Sequence, residues 1–239
     1  MRLKASVAAA AAAALIAALP ASAPAAKGCI FQDDRANEKN LDKVERSLFC
    51  LTNLHRLRNG TDPVRIDTRL TAAARAHSDD MIARGFFAHN NPEGADPTVR
   101  AAAFGYPSGV GENIATNFEG TASELFDQWR HSTTGHNENM LFHSYEAAGM
   151  GINPHLWQSS GAPPGATGTQ MFGNGPADTK GDALDFYASS GKCATGKERL
   201  YAKRQARKRA RKNRRQRLGK QISELKQQVK QRCKAPPGS

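Results

Sequence analysis

The side chains that most often carry chemistry in proteins are plentiful in this chain, but they form no familiar catalytic motif. The 239 residues include seven histidines, four cysteines and 22 aspartates and glutamates. The sequence has no G-x-S-x-G nucleophile elbow, no H-E-x-x-H zinc helix and no glycine-rich phosphate loop. It therefore argues against the enzyme classes that these motifs define, and the fold must decide which histidines and carboxylates meet.

The four cysteines lie as two local pairs. Cys29 and Cys50 are on either side of a short polar segment, whereas Cys193 and Cys233 are on either side of a basic stretch. Four cysteines allow three pairings. We favour 29–50 with 193–233, because each bond would close a local loop; the alternative is that one or more is a buried free thiol. No two cysteines have the close spacing of a cysteine zinc site.

The first 25 residues have the three parts of a secretory signal peptide. Arg2 and Lys4 form a positive start, residues 5–19 are uncharged and mostly apolar, and Ala23-Pro24-Ala25 is a small-residue cleavage site. A membrane anchor is the alternative, but the apolar run is shorter than a bilayer span and ends in proline-rich sequence. The sequence thus predicts a secreted or extracellular protein, in a compartment where disulfides form.

Positive charge is concentrated at the C-terminus. Residues 197–239 carry 17 basic and two acidic side chains, a net charge of +15, whereas residues 26–196 have a net charge of −5. The Lys, Arg, Gln and Ala composition favours a helix that is basic on every face. We expect this tail to associate with anionic cell-surface or wall polymers; a merely solvated extension is the alternative. Tyr201 is its single aromatic residue, so stacking on single-stranded bases is not indicated, and no sequence-specific nucleic acid is expected.

The middle of the chain alternates between helical and strand-like patterns. Spacings of three and four residues between Val44, Leu48, Leu51 and Leu54 predict a first helix. Further helices are predicted to begin after the capping residues Asp67, Asp96 and Thr121, with His77 on the inner face of the second as a core histidine, and strands are predicted over 110–115, 147–153 and 169–172. This alternation favours an α+β layered domain.

The composition divides the chain into five segments. They are a signal peptide (1–25), a polar N-terminal segment (26–40), a domain (41–174), a linker (175–196) and a basic helical tail (197–239). A straight helical tail would hold Cys193 and Cys233 about 60 Å apart, at about 1.5 Å per residue. A turn near Gly219 would instead form a helical hairpin that brings them together, which is the arrangement that we favour.

Several short motifs between residues 41 and 174 occur in a fixed order at regular intervals. They are CLTNLHRLRNG followed by VRIDTRLTAAARAHSDDMIARGFFAH, GENIA at 111–115, Trp129 with Ser132 and then GHNENML at 135–141, GMGIN at 149–153, and QMFG at 170–173. Together they resemble the CAP superfamily of cysteine-rich secretory proteins, antigen 5 and pathogenesis-related 1 proteins. The resemblance is strongest to the bacterial SCP-like extracellular branch.

This resemblance implies a fold and a site. The family fold is a three-layer α-β-α sandwich with a central antiparallel sheet. Its cleft carries two histidines and two glutamates in the animal members. Matched motif by motif, the cleft residues here are His89, Glu112 and His136, and Ser132 stands where the second glutamate is expected.

The resemblance also limits the functions to consider. Two imidazoles and a carboxylate suit zinc or another divalent cation, with a fourth position left for water that the metal would activate. The family also contains sterol and fatty-acid binders, which implies a lipid or sterol-like ligand. We expect a secreted, non-enzymatic module whose cleft holds a divalent metal or an apolar small ligand, with the tail on an anionic surface. The alternative is a metal-dependent hydrolase that uses His89, Glu112 and His136.

Overall fold

The structure is a computed structural model that describes residues 28–157, 163–187, 200 and 212–232. The helices within these ranges are α1 (Leu41–Arg58), α2 (Thr68–Arg84), α3 (Pro97–Ala103), α4 (Ala122–Arg130), α5 (His136–Leu141), a short 3-10 helix (Leu184–Phe186) and α6 (Lys212–Arg232). The strands are β1 (Arg65–Ile66), β2 (Val110–Asn117), β3 (Ala147–His155) and β4 (Pro164–Gly173).

The predicted helix starts are confirmed by their capping bonds. The Asp67 carboxylate accepts from the backbone N–H groups of Arg69 and Leu70. Asp96 and Thr121 accept in the same way at the first turns of α3 and α4. These side chains satisfy N–H groups that have no partner inside the helix. At the other end of α2, Gly85 has a φ of 68°, the left-handed conformation in which glycine ends helices.

The four strands form one sheet in the order β1-β3-β4-β2. The β3–β4 and β4–β2 pairs are antiparallel, as predicted, whereas the two residues of β1 run parallel to β3. The sequence analysis did not predict β1 as a strand, because two residues are too few to show an alternating pattern. The central sheet is therefore antiparallel except at this short edge.

The sheet lies between two helical layers. On β3, the side chains of Met150 and Ile152 belong to one core cluster, with residues of α1, α4 and α5. Ala147 belongs to a second cluster, with residues of α2. On this second face a Cβ at Gly149 or Gly151 would overlap the backbone of α2, so glycine allows the helix to lie directly against the strand. The predicted α+β, three-layer architecture is confirmed.

The N-terminal segment is fastened to α1. The predicted disulfide between Cys29 and Cys50 is present, and both residues are buried. Beside it, the 3-10 helix packs on the same core through the buried Leu184 and Tyr187.

Residues 176–187 differ from the linker predicted over 175–196. The Asp178 carboxylate accepts from the backbone N–H of Thr68 at 2.9 Å, and Asp182 accepts from the Asn53 side chain at 2.8 Å. Backbone and carboxylate groups make many of these contacts, and a composition rich in Gly and Asp gives no apolar pattern from which to predict them.

Helix α6 covers part of the predicted basic tail. In it Ile222 is buried, while Lys220, Lys226 and Lys230 are exposed. Cys193, Cys233 and the rest of the tail lie outside the described residues, so the second disulfide and the helical hairpin stay predictions. The signal-peptide residues also lie outside them. Among the described residues, no helix has the length and apolar character needed to cross a membrane.

Candidate functional site

Glu112 is the centre of the candidate site. It lies on the edge strand β2, and its side chain is only 1% exposed. One carboxylate oxygen accepts from His89 Nδ1 at 2.9 Å, and the other accepts from an Arg100 guanidinium N–H. His77 Nε2 is 3.9 Å from the same carboxylate. A buried carboxylate is stable only when charge partners and hydrogen bonds replace water, and these residues supply both.

Arg100 was not predicted as a site residue. It lies on α3, donates to the backbone carbonyls of His89 and Ala95, and pairs with Glu112. One guanidinium group thus fixes both the loop that carries His89 and the carboxylate that His89 contacts. The sequence offered one signal: a glutamate buried in a strand needs a cation, and Arg100 is the nearest arginine before it in the chain.

The contact with Glu112 defines the hydrogen-bonding state of His89. An ionised carboxylate only accepts, so His89 Nδ1 carries the hydrogen and Nε2 is left as an acceptor in the neutral ring. The His89 side chain is 50% exposed. Its ring therefore connects a buried carboxylate to the open cleft.

His136 is positioned by a different set of contacts. It is the first residue of α5, after Gly135, whose φ of 100° favours glycine. The Ser132 hydroxyl lies 2.8 Å from His136 Nδ1. Burial lowers the pKa of His136, and the nearby His89 lowers it further. His136 is therefore neutral at neutral pH, and the two histidines are close enough to influence each other.

A buried polar chain connects this part of the site to the core. Asn113, next to Glu112, donates to the backbone carbonyl of His136 at 3.1 Å and to the Gln170 side chain at 2.9 Å. Gln170 in turn donates to the Thr52 hydroxyl on α1 at 2.8 Å. Because each group in this chain has a partner, the chain fixes α5 relative to β2 and β4.

The structure brings the predicted cleft residues together in two pairs. His89 is bonded to Glu112, and His136 is bonded to Ser132. His77, which the sequence analysis assigned to the core, is buried and donates to the Ala88 carbonyl at 3.0 Å, while burial lowers its pKa. Glu138, considered as a substitute for the missing carboxylate, is exposed.

The donor set was tested against the predicted metal ion. Both carboxylate oxygens of Glu112 already have partners, so a metal ion at Glu112 would have to displace either His89 or Arg100. Within the described residues, no three His, Cys, Asp or Glu side chains are grouped as metal ligands. As arranged, these residues do not fit a zinc ion, and no chemical step is derived through one.

Two cavities flank these residues. A groove of about 400 Å³ adjoins the cleft and is lined by residues that include Phe87, Ser132 and His136. A second cavity of about 380 Å³ lies between α1 and α2, with Phe49, Ile66 and Met150 among its apolar lining residues. Both volumes fall within the usual range of small-molecule sites, roughly 300–1,000 Å³.

The sequence of the central region matches a known family. Residues 49–156 match the profile of the cysteine-rich secretory protein family, CAP. This part of the chain is a CAP domain. The match includes His89, Glu112 and His136, so the resemblance drawn from the motifs is confirmed.

Individual relatives of the CAP domain are bacterial. The chain is 34% identical over 113 residues to the uncharacterized protein YkwD of Bacillus subtilis (strain 168). That match covers 47% of this chain and 43% of the relative, so it spans less than half of either protein.

Two solved structures are similar to the CAP domain. An extracellular protein containing an SCP domain from Bacillus anthracis str. Ames has a TM-score of 0.49 and 23% identity, covering 59% of this chain and 44% of that one. An outer surface protein of Borrelia burgdorferi has a TM-score of 0.47 and 16% identity, covering 58% and 96%.

Proposed function

We propose that this protein is an exported CAP-domain module that binds a small ligand in the cleft of His89, Glu112 and His136 without transforming it. The observation that carries this proposal is the engagement of Glu112. A general base or a nucleophile needs a lone pair within reach of the substrate. Here the carboxylate is buried and both of its oxygens are bonded, which supports a role in orienting His89.

The cleft offers two complementary hydrogen-bonding groups. His89 Nε2 is an acceptor, because Nδ1 donates to Glu112. The Ser132 hydroxyl already accepts from the Thr134 backbone N–H at 3.1 Å, so its own hydrogen is available to His136 Nδ1. With that bond made, His136 Nε2 carries a hydrogen and donates. One acceptor and one donor, both uncharged, suit a hydroxyl or an amide group.

Export is supported by the disulfide. Cys29 and Cys50 are bonded across the first helix. Such bonds persist in oxidising compartments outside the cytosol. The proposed location, secreted and in part associated with the cell surface, follows from this bond together with the N-terminal pattern over 1–25.

Surface association is supported by the charge of the tail. Residues 197–239 have a net charge of +15, and the lysines at 220, 226 and 230 are exposed on α6. Near an anionic surface each basic residue contributes about 1 kcal/mol. The proposed partners are therefore anionic wall polymers or lipid head groups.

A zinc-binding measurement tests the cleft. The mature chain, residues 26–239 without an affinity tag, is dialysed against trace zinc, and bound metal is measured by mass spectrometry beside the double variant His89→Ala/His136→Ala. We expect substoichiometric zinc in both proteins. Stoichiometric zinc that the double variant loses would contradict the proposal and support the metal-dependent hydrolase.

A truncation tests the tail. We expect the full mature chain to sediment with vesicles that contain phosphatidylglycerol, and to be released by high salt, because screening weakens charge attraction. A chain that ends at residue 196 should stay in the supernatant. Equal sedimentation of the two chains would contradict the proposed role of the tail.

The predicted lipid or sterol-like ligand has a separate candidate position. The cavity between α1 and α2 has an apolar floor that includes Phe49 and Met150, with Asp42 and Arg75 also lining it. A fluorescent fatty acid is the probe for this prediction. Saturable binding that Met150→Glu abolishes would support it, and absence of saturable binding would contradict it.

A further inference from the structure

The groove that adjoins the cleft has a composition that points to one class of ligand. It runs beside the edge strand β2 and reaches the cleft at His136. Its walls are the strand edge, the end of α4, the loop that follows it and the loop that carries Phe87. The lining residues are Phe87, Ile114, Ala115, Thr116, Gln128, Trp129, His131, Ser132, Thr133, Thr134 and His136.

None of these lining residues carries a permanent charge, although 23% of the chain is Asp, Glu, Lys or Arg. His136 is neutral at neutral pH, because burial lowers its pKa. A charged ligand would lose hydration in this groove and gain no counter-charge in return. The groove therefore favours an uncharged ligand.

The lining is nevertheless rich in hydrogen-bonding groups. Ser132, Thr133 and Thr134 contribute three hydroxyls along one side. Gln128 donates to the Thr116 carbonyl at 3.2 Å, which leaves its side-chain oxygen as an acceptor. An apolar ligand would bury these groups without partners, at a cost in free energy. The ligand should thus be polar as well as uncharged.

An aromatic ring completes the groove. Phe87 is partly exposed, and its ring packs against Trp157 with centroids 5.5 Å apart. This contact limits the orientations of the Phe87 ring. The face of an aromatic ring is electron-rich, so it attracts the weakly positive C–H groups on the flat side of a sugar ring.

The strand edge that borders the groove is poorly suited to an added peptide strand. The Ile114 carbonyl accepts from Trp129 Nε1 at 3.1 Å, and the Thr116 carbonyl accepts from Gln128. A peptide that extends a sheet depends on such carbonyls for its backbone hydrogen bonds. The groups left for a ligand are therefore mainly side-chain hydroxyls, an amide oxygen and an aromatic face.

We propose that this groove is a subsite for an uncharged sugar chain. One pyranose ring lies against Phe87, its hydroxyl or acetamido groups bond to Gln128 and the hydroxyls of Ser132–Thr134, and the chain continues toward His89 and His136. This inference rests on the proposed function, because it names the ligand class of the same binding site. Binding is non-covalent, and no bond in the sugar is broken.

The test uses the full mature chain and two tetrasaccharides. Chitotetraose carries acetamido groups and cellotetraose carries only hydroxyls, so the pair separates the two chemistries. Binding is followed by isothermal calorimetry and by 1H–15N NMR. We expect saturable binding of at least one probe, with an affinity that salt barely changes, because the groove carries no permanent charge.

Matched variants locate the binding. Phe87→Ala should weaken it about tenfold, since a lost aromatic contact of about 1.4 kcal/mol corresponds to that factor. Thr133→Val, which removes one hydroxyl and keeps the shape, should weaken it by a smaller factor. Phe118→Ala is the control, because Phe118 is 65% exposed and does not line the groove. Dispersed NMR spectra show that each variant is folded.

Three results would overturn the proposal. They are no saturable binding of either tetrasaccharide to the folded protein, equal affinities of the Phe87 and Phe118 variants, and saturable binding of an uncharged tetrapeptide at the groove in place of the sugars. Failure here leaves the proposed function standing if zinc is substoichiometric. Stoichiometric zinc in the cleft would instead refute the proposed function, whatever the sugars do.

Discussion

Among single residues, Arg100 has the largest expected effect on the cleft. Its side chain is 10% exposed and is paired with the buried Glu112. Removal of one partner from a buried ion pair leaves an uncompensated charge and costs about 3–5 kcal/mol. We therefore expect Arg100→Leu to lower the free energy of unfolding by about 3 kcal/mol or more, measured by urea denaturation.

Arg130→Leu is the matched control for this change. Arg130 pairs with Asp127 at 2.8 Å, but both side chains are 40% exposed or more. Exposed pairs contribute about 1 kcal/mol or less. Equal, small effects of the two substitutions would show that Arg100 does not compensate a buried charge.

His77 makes stability depend on pH. Burial lowers the pKa of His77, an effect that outweighs the attraction of Glu112 and is reinforced by Arg100. A histidine held neutral in the fold contributes its full stability above its unfolded pKa of about 6.5, and loses it as pH falls through the folded value. We expect the free energy of unfolding to fall between about pH 7 and pH 5.

His77→Gln should reduce this dependence, as urea denaturation at the two pH values would show. His55 and His136, whose pKa values burial also lowers, act in the same direction, so part of the slope should remain. The exposed His143, changed to Gln, is the control. An unchanged slope in His77→Gln would contradict the assignment.

Motifs predicted the cleft residues well, and contacts between distant residues were beyond them. His89, Glu112 and His136 were placed because each lies in a recognisable segment. The role of Arg100 depends on how α3 and the loop before it fold back on β2, and no local pattern encodes that. The metal prediction used residue types alone, which do not reveal that both oxygens of Glu112 are occupied.

Among the elements, the contact of α2 with β3 depends on two glycines. A Cβ at Gly149 or Gly151 would overlap the α2 backbone. Overpacking of this kind costs about 1–3 kcal/mol. We expect Gly151→Ala to lower the free energy of unfolding by about that amount, measured by urea denaturation. Gly109→Ala, where a Cβ meets nothing within 4 Å, is the control and should have little effect.

Predictions of elements succeeded where a side chain marks the boundary. Asp67, Asp96 and Thr121 cap their own helices, so their positions are readable locally. Helix α5 was not predicted, because six residues give too short a pattern. The packing of residues 176–187 was not predicted either, because its partners are far away in sequence.

For the molecule as a whole, the disulfide should contribute strongly to stability. It joins residues 21 apart and fastens the N-terminal segment to α1. Closing a loop of that size stabilises a fold by about 3 kcal/mol in the chain-entropy model. We expect Cys29→Ala/Cys50→Ala to lower the free energy of unfolding by a similar amount in urea. A change below about 1 kcal/mol would show that the fold does not depend on this bond.

The central claim is that Glu112 orients His89 and leaves the cleft as an uncharged binding site. Long-range 1H–15N NMR of the imidazole rings, recorded with and without equimolar zinc, tests it most directly. The account predicts that His89 carries its hydrogen on Nδ1, that His136 is neutral at pH 7, and that zinc leaves both spectra unchanged. Loss of the His89 Nδ1 hydrogen bond to Glu112, with both rings shifted by stoichiometric zinc, would contradict it.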